Sequence, residues 1–204
     1  SLVYILKMVK NISQHEILST QLKDHAELIA NNKELIISGV QSIAKSAADS
    51  LERGGTIFWC GNGGSAADSQ HLAADLVCRF ISERRALRSI SLTTDTSVLT
   101  AISNDYDFDN IFSRQLEALG KDGDVLIVIS TSGNSININN AISTAKNMGI
   151  EAIGLLGKDG GSASNLLLQK IIIPSNSTAR IQEIHILIGH LIIDLIEYSL
   201  GLVD

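Results

Sequence analysis

The run Val125-Leu126-Ile127-Val128-Ile129 constrains the fold more than any other feature of the chain. Five consecutive apolar residues, mostly β-branched, follow Asp124 and run into Ser130, an expected strand over Val125–Ser130 ahead of the turn-forming Thr131-Ser132-Gly133. A strand with one wet face would alternate; a continuous apolar run means burial on both faces, as in a parallel sheet covered by helices. Further short β-rich runs occur at Thr56–Cys60, Arg88–Thr93, Ala152–Leu156 and Lys170–Ile173, separated by stretches of helical length. Before them, Ile12, Ile17, Leu22, Leu28, Ile29, Leu35, Ile36, Val40 and Ile43 recur at spacings near 3.6 until Arg53-Gly54-Gly55 ends the pattern. The expected architecture is α/β: a doubly wound, five-stranded parallel sheet with an N-terminal helical arm. Its 204 residues are read as a single domain, with the arm over residues 1–53 and the α/β core with its C-terminal helix over 54–204.

Composition narrows the class. A chain of this length buries about 70% of its unfolded surface and needs neither a disulfide nor a structural metal to fold. Lys plus Arg number 16 and Asp plus Glu 22, a net charge of −6, which excludes a broad nucleic-acid-binding face but not a local anion site. Cys60 and Cys78 form neither a zinc CxxC pair nor a dithiol motif, so a reduced, cytoplasmic protein is expected. The Leu2-Val3-Tyr4-Ile5-Leu6 run is too short for a signal peptide. Ile184 to Val203 is largely apolar, yet it carries His185, His190, Asp194 and Glu197, which fits a helix buried in protein or in a subunit interface rather than in a membrane.

In open parallel sheets ligands bind beyond the carboxyl ends of the strands, and two loops there have the right chemistry. Gly61-Asn62-Gly63-Gly64-Ser65 follows the first strand. Its glycines permit close backbone approach, and Ser65 with Asp68 suggests a capping box opening an anion-attracting helix. Gly61-x-Gly63-x-x-Ala66 also satisfies a dinucleotide fingerprint, but the acid expected about 20 residues on is not at the end of a second strand. Ser130-Thr131-Ser132-Gly133-Asn134-Ser135 follows the central strand and precedes a helix beginning near Ile136. Its hydroxyls and backbone donors suit a phosphate, and a serine-rich helix cap is the plainer reading of that loop alone.

His71 and Asp75, spaced i, i+4, project from one helix face, while Leu72, Leu76 and Phe80 form an adjacent apolar stripe. The pair could ligate a divalent metal; equally, Asp75 could pair with Arg79 and leave His71 a surface residue. In the C-terminal segment Gln182, Glu183, His185 and His190 interrupt an apolar helix and need partners. Helical geometry aligns Glu183 with His190, and it also allows Gln182 and His190 to border one cavity.

The blocks Cys60-Gly61-Asn62-Gly63-Gly64-Ser65, Ser130-Thr131-Ser132-Gly133-Asn134-Ser135, Gly157-Lys158-Asp159-Gly160-Gly161 and Arg180-Ile181-Gln182-Glu183-Ile184-His185 resemble, in order, the sugar isomerase (SIS) domain of bacterial phosphoheptose isomerases. The resemblance covers nearly the whole chain and implies a flavodoxin-like SIS fold, a phosphorylated sugar as substrate and a homotetramer with shared sites. It implies conversion of sedoheptulose 7-phosphate to D-glycero-D-manno-heptose 7-phosphate, for surface polysaccharide precursors such as those of lipopolysaccharide, without an organic cofactor. By the same resemblance His71, Asp75, Gln182 and His190 would bind zinc, with Asp75 the carbon base and His190 the acid/base at the oxygens. Ser130, Thr131, Ser132 and Ser135 would anchor the phosphate. Asn62, Gly63, Gly64, Asn104 and Asp105 would contact the sugar beside Asp75 and Gln182, and Arg79 would lie near the site, reaching a neighbouring subunit.

One departure stands out: the family usually has glutamate where this chain has Asp75, one methylene shorter. The rival expectation is a non-catalytic SIS regulator or adaptor, related to one that binds the bacterial replication initiator; such proteins lack the acid. An oxidoreductase built on Gly61-x-Gly63-x-x-Ala66 would leave the serine loop unexplained.

Overall fold

The computed structural model describes residues 13–203, so the Leu2–Leu6 run and Ile12 lie outside the described residues. The chain divides into two compact units, residues 1–33 and 34–204. In the first, α1 (Gln14–Asn31) starts at a reciprocal cap. The Glu16 backbone N–H donates to Ser13 Oγ at 3.1 Å, and the Ser13 backbone N–H donates to the Glu16 carboxylate at 2.8 Å. Ile17, Leu18 and Leu22 on this helix are exposed.

In the second unit α2 (Lys33–Glu52) buries Ile36, Val40, Ile43, Ala44, Ala47 and Leu51 along one stripe, whereas Leu35, expected on that stripe, is exposed. Ser42 accepts a hydrogen bond from Gln169 and Ser50 donates one to the Gly123 carbonyl, which ties the helix to strand ends. The strands are β1 (Ile57–Gly61), β2 (Ser89–Ser91), β3 (Val125–Ser130), β4 (Glu151–Gly157) and β5 (Gln169–Ile173). They form one sheet in the order β2-β1-β3-β4-β5 with every pair parallel. The central strands match expectation to within a residue or two. β2 is shorter than the expected Arg88–Thr93, because an edge strand pairs on one side only: its ladder with β1 ends at Ser91, while β1 continues beside β3 to Gly61.

The helices of the core are α3 (Gly64–Val77), α4 (Thr96–Asp105), α5 (Ser113–Leu119), α6 (Ile136–Asn147), the single turn α7 (Ala163–Leu166) and α8 (Thr178–Ser199). Phe58, Cys60, Leu126, Val128 and Leu156 pack under Leu116 of α5 and Ile138, Ala141, Ile142 and Ala145 of α6. β1 to β2 and β3 to β4 cross over in opposite directions along the sheet, so right-handed connections place α3 on the face opposite α6. The order therefore reverses between β1 and β3, and the chain leaving those neighbouring strands diverges to opposite faces. That opens a crevice at their carboxyl ends, where open α/β sheets bind ligands. Among the described residues no helix is long and apolar enough to cross a membrane.

Candidate active site

The crevice is walled by both loops read from the sequence. Asn62 and Ser65 from the first, with Ser130, Thr131, Ser132 and Ser135 from the second, line a cavity of about 50 Å³ beside the end of β3. Ser65 does not cap α3. The N-cap is Gly63 at φ 57°, a conformation glycine adopts without strain, and Ser65 is buried in the first turn. Ser130 Oγ accepts from the Gly133 N–H at 3.0 Å, and Ser132 Oγ accepts from the Asn134 N–H at 3.2 Å. Ser135 is the N-cap of α6 but makes no side-chain cap bond, so its hydroxyl is not engaged in holding the helix. The Gly160-Gly161 loop braces the serine loop from behind: the Ala163 N–H and the Ser162 hydroxyl both donate to the Gly133 carbonyl.

Sequence reasoning missed Asn137. It is buried, and its amide pairs reciprocally with that of Asn62, both bonds 2.9 Å, fastening one loop to the other across the switch point. A polar residue in the first turn of a helix that otherwise packs on the sheet was its only signal. Asn104 and Asp105 lie in the exposed last turn of α4, where the Asn104 amide donates to Asp105 at 2.7 Å.

Two turns along α3 from the crevice, His71 and Asp75 meet His190 of α8. His71 Nε2 and His190 Nε2 are 3.2 Å apart, and Asp75 Oδ2 lies 3.5 Å from the first and 3.6 Å from the second. The Asp75–Arg79 pairing is not formed; Arg79 is exposed and stands 3.9 Å from Glu83. Phe80 is not part of the α3 stripe, because the helix ends at Val77. Its ring stacks on His190 at a centroid distance of 5.4 Å, walling one side of the cluster. Burial, reinforced by the charge of His71 and opposed by Asp75, lowers the pKa of His190 and so favours its neutral, ligating form. Burial raises the pKa of Asp68, one turn before His71.

The cluster forms because α3 and α8 approach closely. A Cβ on Gly189 would fall 2.4 Å from a Leu72 methyl, so any larger residue immediately before His190 would displace the Leu72 side chain from this contact. At the other end of the contact the Gln182 amide lies against Gly64, where a Cβ would sit 2.5 Å from its nitrogen. Glu183, the alternative partner of His190 on helical geometry, instead pairs with Arg180.

The three donor atoms fit a metal ion. Tetrahedral ligation at 2.0–2.1 Å separates donors by about 3.3 Å, and the edges here are 3.2, 3.5 and 3.6 Å. Asp75 Oδ2 is buried and makes no hydrogen bond among the described residues, and at most one proton can lie between the two facing imidazole nitrogens. Despite its shorter side chain, Asp75 reaches both rings.

Known proteins share this sequence and fold. The SIS domain family model matches residues 21–157. The chain is 51% identical over 180 residues to the phosphoheptose isomerase of Paramagnetospirillum magneticum, covering 88% of this chain and 94% of that one. It is 54% identical over 164 residues to that of Clostridium acetobutylicum, covering 80% and 84%. The structure of phosphoheptose isomerase from Neisseria gonorrhoeae superposes with a TM-score of 0.86 at 39% identity, covering 91% of this chain and all of that one. That from Francisella tularensis gives 0.88 at 33% identity, covering 91% and 99%. With the SIS model over residues 21–157, about half its sequence shared with these relatives and its fold shared with the solved structures, the chain belongs to the phosphoheptose isomerase family of SIS-domain proteins.

Proposed function

We propose that the protein is an aldose–ketose isomerase that converts sedoheptulose 7-phosphate to D-glycero-D-manno-heptose 7-phosphate. The observation that carries this reading is the pairing of a hydroxyl-lined cavity at the start of α3 with an Asp–His–His cluster farther along the same helix. His71 lies six positions beyond Ser65, about 9 Å of helical rise, a span that a long phosphosugar bridges and a triose does not.

Isomerisation moves a proton between C1 and C2 through an enediolate, which needs a base at carbon and an acid at oxygen. With Oδ2 of Asp75 turned to the imidazoles, Oδ1 is the atom left to take the carbon proton. His190 is assigned to proton exchange at the sugar oxygens. Thr131, Ser132 and Ser135, with Ser130 holding the loop, bind the phosphate, and this remote binding places the reacting carbons at Asp75. Asn62, Gly63, Gly64, Asn104 and Asp105 are assigned to the sugar hydroxyls. His71, Asp75 and His190 would hold a zinc ion, which supplies a Lewis acid for the carbonyl and adjacent hydroxyl; Gln182, expected as a fourth ligand, lies against Gly64 at the other end of the helix contact and is assigned to the substrate. The exposed Ile17, Leu18 and Leu22 of α1 support a homo-oligomer, a tetramer by family resemblance, acting in the cytoplasm on surface polysaccharide precursors.

The test is conversion of sedoheptulose 7-phosphate followed by NMR, for wild type with and without zinc and for Asp75→Ala and His190→Ala. Zinc-dependent turnover lost in both variants is the expected result. A folded wild type that binds the phosphosugar without turning it over would favour the regulator.

A further inference from the structure

The cluster is assembled between two helices whose own sequences do not fix their separation, and one charged pair ties them together below it. Arg84, in the segment between α3 and β2, donates from Nε to Glu197 of α8 at 2.7 Å, with the two side chains 1% and 0% exposed. The rest of its guanidinium faces the C-terminus of α3. One terminal nitrogen donates to the Asp75 carbonyl at 2.7 Å; the other donates to those of Leu76 at 2.8 Å, Cys78 at 3.1 Å and Arg85 at 3.1 Å. Several of these carbonyls are the groups a helix end leaves unpaired, and a cation there also complements the helix dipole. Glu197 lies seven residues, about two turns, beyond His190 on α8 and so shares its face. A single guanidinium thus grips the main chain of Asp75 and, through Glu197, the face of α8 that carries His190.

Buried ion pairs are no more stabilising on balance than well-packed apolar groups, and their best-attested use is to fix register. We infer that Arg84 and Glu197 are positioning residues for the acid–base end of the site, setting α3 against α8 so that Asp75 Oδ2 meets both imidazoles. The inference rests on the isomerase reading above for its kinetic consequences, but its structural consequence, the quality of the metal site, is independent of turnover.

Two variants test it. Arg84→Lys keeps a cation opposite Glu197 but lacks the planar fork that reaches the α3 carbonyls. The double variant Arg84→Met with Glu197→Leu replaces the pair by apolar groups of similar size. For both, kcat and KM for sedoheptulose 7-phosphate, zinc affinity by competition with a chromophoric chelator, and the melting temperature are measured. The expected result is a loss of about 10- to 100-fold in zinc affinity and in kcat, with KM unchanged because the serine loop is untouched. Zinc affinity equal to wild type in Arg84→Lys overturns the proposal, as does a fall in kcat that tracks only a fall in melting temperature. Failure of both variants to fold would make the pair structural and likewise overturn it. A wild type without turnover would sink the isomerase reading, and the pair is then judged on zinc affinity.

Discussion

The two ends of the crevice are built in different ways. The serine loop is local: its hydroxyls come from the six consecutive residues Ser130–Ser135 at the end of β3, those of Ser130 and Ser132 accept from N–H groups of the same loop, and the Gly160 loop supports it from behind. The Asp–His–His cluster is assembled across the chain, with its two imidazoles 119 positions apart and its frame made by the contact of α3 with α8 and the Arg84–Glu197 pair. A local loop tolerates small shifts of the surrounding helices, because its geometry travels with it. A cluster spread over two helices does not, since a displacement of about 1 Å between catalytic groups can lower the rate about 100-fold.

Substitutions that strike one end and spare the other sharpen this contrast. Asp75→Ala removes the carbon base and one donor of the cluster, and kcat is expected to fall about 1,000-fold with the phosphosugar still bound, as steady-state kinetics and a binding titration would show. The next largest effect is on stability and falls on α8. His185 is fully buried, donates from Nε2 to the Leu156 carbonyl at 3.0 Å, and has its pKa pushed down by burial from 6.5 to about 4. The folded state therefore binds fewer protons than the unfolded chain between these values. Stability is complete above pH 6.5 and declines by about 3 kcal/mol as the pH falls toward 4. Urea unfolding at stepped pH should show this slope in wild type and a flatter one in His185→Gln.

Gly189→Ala places a methyl group against Leu72 and pushes the helices apart. We expect about a 100-fold loss in kcat with phosphosugar binding retained. If kcat holds and binding is lost, the division into a local and an assembled end is wrong. Ser135→Ala touches only the loop: removing one hydroxyl from a phosphate should raise KM about tenfold and leave kcat and zinc affinity as in wild type.

Much of this molecule is legible in its sequence, and the misses share a cause. Val125–Ser130 reads as a buried strand and is one, to the residue, because a continuous apolar run can be buried in few ways. Both phosphate-style loops fall where expected at the carboxyl ends of β1 and β3. Ser65 looked like a cap, yet the turn is made by the positive φ of Gly63, and a backbone angle leaves no mark of its own in a string of small residues. Phe80 fits a helical stripe by spacing, but α3 stops at Val77, where the guanidinium of Arg84 closes its carbonyls from farther along the chain. Arg79 and Glu183 offered equally good local partners for Asp75 and His190. The structure pairs them instead with Glu83 and Arg180.

The sequence by itself determined the parallel sheet, the helices that cover it and the loops beyond its strands, because periodicity and turn chemistry are properties of neighbouring residues. Only the tertiary structure decided which of several chemically suitable side chains meet. His71, Asp75 and His190 come together, and Arg84 finds Glu197 across 113 residues, through the contact of α3 with α8 at Leu72 and Gly189. The physical reason is that a donor set is specified by distances of a few ångströms between helices. Those distances follow from how two surfaces pack, and the order of residues along either helix does not contain them.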